Sequence, residues 1–61
     1  MFSAIAYTVR GNVLLSAESY SLADVEIVAE MLARSTLPRL SLVCIYDADG
    51  TRLRAYPKRK P

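Results

Sequence analysis

The chain has no histidine, no tryptophan and a single cysteine, Cys44. Without histidine, the side chain that most often acts as a general base near neutral pH is missing. One cysteine cannot close an intramolecular disulfide, and without histidine it cannot assemble a zinc site. Only two glycines are present, Gly11 and Gly50, too far apart to form a phosphate-cradling loop. No apolar run approaches the roughly 18–20 residues of a membrane-spanning helix. The apolar start, Met1 to Ala17, has no basic residue ahead of it and is broken by Arg10-Gly11-Asn12, so it does not read as an export leader. The expectation is a non-enzymatic protein with no cofactor, no metal and no small-molecule substrate. A cytoplasmic location is expected, and the unpaired thiol suits a reducing interior.

What is present is apolar and short. The 61 residues are 52 % hydrophobic, with eight Lys/Arg against six Asp/Glu, too apolar for a disordered chain. A domain of this size buries only about 60 % of its unfolded surface, so its own core is marginal. With no disulfide or metal to staple it, association with a second copy or a partner is the remaining route to stability.

Strand-like residues fill 2–10, Gly11-Asn12 offers a two-residue turn, and 13–18 return as a second strand. That turn pairs Val9 with Leu14, Thr8 with Leu15 and Tyr7 with Ser16. Ser21 then caps a helix, with Asp24 three residues on in the capping-box position. The helix should run from Leu22 to about Arg34, before the Pro38 break, burying Leu22, Val25, Val28, Ala29 and Leu32. Glu30 and Arg34 sit at ion-pair spacing on its wet side. Residues 40–46 and 52–56 form a second hairpin. The expected fold class is α+β: a small ββαββ domain over 1–57, two antiparallel hairpins packed on one α-helix, with no internal repeat and a basic flexible tail at 58–61. Whether the hairpins lie side by side or pair with those of a second chain is open.

The second turn decides which residues share a face. Asp47-Ala48-Asp49-Gly50-Thr51 suits a three-residue loop with Gly50 in a bulge, which pairs Ile45 with Leu53 and Val43 with Ala55. A two-residue loop would pair Ile45 with Arg54 instead, reversing the last strand's faces. On the first pairing the helix meets Val43, Ile45, Leu53 and Ala55. The other face then carries Leu42, Cys44 and Tyr46 beside Arg52, Arg54 and Tyr56.

Chemistry-bearing residues are few. Asp47 and Asp49 lack the further ligands of a calcium loop and read as turn formers. Cys44, between Val43 and Ile45, reads as a small buried hydrophobe. Charge distribution says more than the total. Residues 1–31 carry one base and four acids, whereas residues 32–61 carry seven bases and two acids. The last ten hold Arg52, Arg54, Lys58, Arg59 and Lys60, a set suited to a phosphate backbone, to an acidic protein surface, or to keeping an edge strand from aggregating.

Ile27 and Met31 project from the helix away from its expected core stripe. With Leu42, Tyr46, Arg52, Arg54 and Tyr56 they make up the expected protein interface. The expected function is a small protein-binding module, a homodimer, acting as adaptor or inhibitor of a larger protein partner. The alternative is a nucleic-acid-binding regulator working through the basic set. The ββαββ order resembles that of looped-hinge-helix DNA-binding domains, without their proline-containing strand-to-helix motif after Leu15. It is also similar in plan to small phage- or plasmid-encoded proteins that dock on a larger machine. These are likenesses of element order.

Overall fold

A computed structural model describes Met1 to Arg59. In chain order the elements are β1 (Phe2–Tyr7), β2 (Val13–Ser19), α1 (Leu22–Arg34), β3 (Leu42–Tyr46) and β4 (Arg52–Pro57). The strands form one antiparallel sheet in the order β2-β1-β3-β4, so the hairpins lie side by side with β1 against β3. Strands β2 and β3 run parallel on either side of β1. The helix is therefore a crossover linking two parallel strands with a third inserted between them.

The helix has the expected bounds, and its cap works through a relay. Ser21 Oγ accepts from the Asp24 amide at 3.4 Å, while Ser19 Oγ accepts from the Ser21 amide at 3.1 Å and donates to the Asp24 carboxylate. Helix residues Val25 and Ala29 lie against Ala4 and Ala6 of β1, Val43 and Ile45 of β3, and Leu40. Alanines on facing positions let helix and sheet approach closely. The result is a small core, whose largest fully buried side chains are Ile45, Val25 and Val43. Ala33 is buried and Leu22 is exposed, so the core stripe is rotated from the expected one toward the last helical turn.

The two hairpins use one design. In the first, the Thr8 amide donates to the Asn12 carbonyl and the Gly11 amide to the Thr8 carbonyl. In the second, the Asp47 amide donates to the Thr51 carbonyl and the Gly50 amide to the Asp47 carbonyl. Each is a three-residue loop ending in a glycine at positive φ, 85° for Gly11 and 83° for Gly50. In each the outer strand then bulges: Leu14 is the extra residue opposite Ala6/Tyr7, and Leu53 the extra residue opposite Ile45/Tyr46. The β1–β3 register is symmetric about Ile5↔Cys44, since Tyr7 faces Leu42 and Tyr46 faces Ser3. The hairpins are thus related by an approximate two-fold through that pair, a structural repeat that the sequence reading did not detect.

Two registers differ from expectation. Gly11-Asn12 is not a two-residue turn; Val9-Arg10-Gly11 is the loop, and Tyr7 faces Val13 rather than Ser16. The second loop is the expected one, but the bulge at Leu53 shifts the strand after it. Ile45 faces Arg54, Val43 faces Tyr56, and Cys44 faces Ala55. Arg54 and Tyr56 consequently lie on the helix side, Ala55 on the opposite side. The ordered chain also continues past β4: the Lys58 amide donates to Ser41 and the Arg59 amide to Ala33, a carbonyl of the last helical turn. Lys60 and Pro61 of the expected flexible tail lie outside the described residues.

Candidate functional site

Two surfaces carry the residues expected at an interface, and the bulge at Leu53 divides them. The first is the sheet face opposite the helix, which no other element of the described chain covers. Ser3, Ile5 and Tyr7 of β1 lie there beside Leu42, Cys44 and Tyr46 of β3, with Val13, Ala55 and Pro57 on the outer strands. Tyr7 and Tyr46 each precede their turn, so the approximate two-fold brings their side chains toward one another over the sheet. Their hydroxyls meet at 2.9 Å. Cys44 is only 2 % exposed on this otherwise open face, so the tyrosines between them roof it. The hydrogen bond to Tyr7, burial, and the neighbouring Cys44 thiol all oppose a phenolate at Tyr46, holding its pKa well above the ordinary value of about 10. Glu18 and Arg52 stand at opposite margins of this face.

The second surface is a groove of about 730 Å³ between α1 and β4. Ala23, Ile27 and Met31 form one wall, and Arg54 and Tyr56 the other. Ile27 is 59 % and Met31 66 % exposed. Ion pairs cross or border the groove: Arg54–Glu26 at 3.3 Å, Arg34–Glu30 at 3.6 Å and Arg59–Glu30 at 3.0 Å. All are solvent-exposed, so each contributes at most a few tenths of a kcal/mol up to about 1.

Tyr46, Arg52, Arg54 and Tyr56, expected on one face, are therefore split. Leu42, Tyr46 and Arg52 belong to the open sheet face; Ile27, Met31, Arg54 and Tyr56 belong to the groove. The basic set is split as well. Arg54 and Arg59 are paired with helix carboxylates, Arg52 lies on the open face, Lys58 is joined through its amide to Ser41, and Lys60 lies outside the described residues. Asp47 acts as a turn former: its carboxylate accepts from the Asp49 and Thr51 amides at 2.9 and 3.0 Å. Tyr7 is the residue that sequence reasoning missed. The signal was present, because Tyr7 precedes Gly11 and Tyr46 precedes Gly50 by the same four positions.

A smaller cleft of about 400 Å³ is lined by Thr8, Val9, Arg10, Asn12 and Arg39. Arg39 is the one non-glycine residue at positive φ among those described, 70°, and it follows Pro38 in a turn closed by the Leu40 amide on the Leu37 carbonyl. This is the glycine position of a type II turn. Among the described residues neither Arg10 nor Arg39 is in an ion pair. Among the described residues no helix is long and apolar enough to cross a membrane. No family model, curated protein or solved structure matches the chain.

Proposed function

We propose that the protein is a non-enzymatic protein-binding module that docks on a larger protein as an adaptor or inhibitor. The open sheet face is the observation that carries this reading. Ile5, Leu42 and the Tyr7–Tyr46 pair form an apolar centre that no other element of the described residues covers, and charge is confined to the margins. Apolar centre and polar rim are the anatomy of a protein interface. The hydroxyl pair fixes two rings that would otherwise lose side-chain freedom on binding. Leu42→Arg and Arg52→Glu test it. The wild-type protein should retain one identified host protein, with binding reproduced between the two purified components. Leu42→Arg should abolish that binding, and nuclease treatment should not affect it. Retention that Leu42→Arg leaves intact, or that nuclease abolishes, would reject the reading.

The cleft at Arg10 and Arg39 supports a second reading, a nucleic-acid-binding regulator. Two guanidinium groups that are in no ion pair among the described residues line this cleft, at the end of the sheet where the Tyr7 carbonyl accepts from the Ser41 amide. This reading moves the expected contacts from Arg54 and Arg59 to Arg10 and Arg39. It predicts steeply salt-dependent binding to single-stranded RNA or DNA, lost on Arg10→Ala plus Arg39→Ala.

A further inference from the structure

The groove beside β4 is a vacancy in the helical layer. Four antiparallel strands span about 19 Å at roughly 4.8 Å per strand, whereas one helix with its side chains is about 10–12 Å across. Because α1 lies over β1 and β3, the helix-side residues of β4, Arg54 and Tyr56, are left at one edge of that layer. At the rim of this groove, on the helix face turned away from the sheet, Ala23, Ile27 and Met31 stand at four-residue steps. Such a row forms one of the ridges by which helices pack into each other's grooves.

We propose that the occupant is α1 of a second copy, in an antiparallel two-fold pair centred on Ile27. Charge selects the orientation. The first turns of α1 carry Asp24 and Glu26 with one base, Arg54, against them; the last turns carry Arg34 and Arg59 around one acid, Glu30. The ridge is therefore acidic at one end and basic at the other. An antiparallel copy sets each acidic end on the partner's basic end and opposes the helix dipoles, whereas a parallel copy sets like on like. Size selects the same arrangement. With Ile27 at the axis, Ala23 faces the partner's Met31, so the smallest residue of the ridge meets the largest at both ends.

This deepens the protein-binding reading by naming one partner as a second copy. It uses the groove alone, so the open sheet face stays free for a larger protein and each reading can fail without the other. Sedimentation velocity on the intact chain should give a dimer of twice 6.8 kDa. Ile27→Arg, at an exposed position, should keep the circular dichroism of the wild type and weaken the dimer by at least about thirtyfold, the loss expected at one interface hot spot. Leu42→Arg, on the open face, should leave the dimer intact. Under mild oxidation Ile27→Cys should cross-link to itself, and a mixture of Ala23→Cys and Met31→Cys chains should cross-link in the mixed pair above either alone. A wild type that is monomeric at its highest soluble concentration would overturn the proposal. So would a folded Ile27→Arg protein that dimerises as well as the wild type, or cysteine variants that fail to form these pairs.

Discussion

The two hairpins share a turn, a glycine at positive φ, a bulge and a tyrosine at the inner strand's end, yet their outer strands meet different surroundings. In the first, the bulged residue Leu14 packs against the core. In the second, the bulged residue Leu53 remains 42 % exposed, and the strand instead turns Arg54 toward Glu26 and Tyr56 toward the core. The same backbone device thus closes one edge of the core and leaves the other edge open beside a groove. Backbone geometry sets the topology, while outer-strand composition decides where usable surface remains.

The comparison breaks first if the core common to both hairpins fails. Ile45→Ala removes the largest fully buried side chain, at a cost of about 2–5 kcal/mol against the roughly 3–5 kcal/mol such a small core supplies. The expected result is loss of cooperative urea unfolding by circular dichroism. Next come the turns. A Cβ at Gly11 or Gly50 meets open space, so Gly11→Ala and Gly50→Ala should each cost only the backbone strain of positive φ, about 1–2 kcal/mol, and by equal amounts. Unequal costs would show that the two turns are not equivalent. The bulges should then separate: Leu14→Ala destabilises by about 1–2 kcal/mol, whereas Leu53→Ala stays within about 0.5 kcal/mol.

A pH-dependent effect concerns the tyrosine pair. Tyr46→Phe loses one hydrogen bond, about 0.5–1.5 kcal/mol at neutral pH. A pKa raised in the folded state means the neutral phenol is favoured by folding. That stability is fully present below the ordinary value of about 10 and is lost as pH rises above it. Wild-type stability should therefore fall above pH ~10 more steeply than that of Tyr46→Phe, so that their difference narrows in alkaline denaturation curves.

Much of this fold was legible in local signals. Ser21 and Asp24 marked the helix start, Pro38 bounded its end, and Asp47 to Thr51 specified the second loop through side-chain-to-backbone bonds. Registers were less legible, because a bulge leaves no composition mark: Leu53 and Ala55 look as suited to a core as Tyr56 does. What selects the observed pairing is tertiary, namely the ring of Tyr56 against the core and Arg54 within reach of Glu26. The first turn departs from the two-residue form because Gly11 occupies the position Gly50 occupies in the second, the last residue of a three-residue loop. The residues expected at the interface fall on different faces from those expected, since their grouping depends on that register. The ion pairs of Arg54 and Arg59 were illegible for a related reason: their carboxylate partners, Glu26 and Glu30, lie far away in sequence.

Both surfaces depend on the pairing of β4, which nuclear Overhauser contacts in the intact protein measure directly. The account predicts contacts from the Tyr56 ring to Val43 on the helix side of the sheet, and an Ile45–Arg54 pairing across the strands. Contacts placing Leu53 and Ala55 against the helix, with Tyr56 on the open face beside Tyr46, would contradict it.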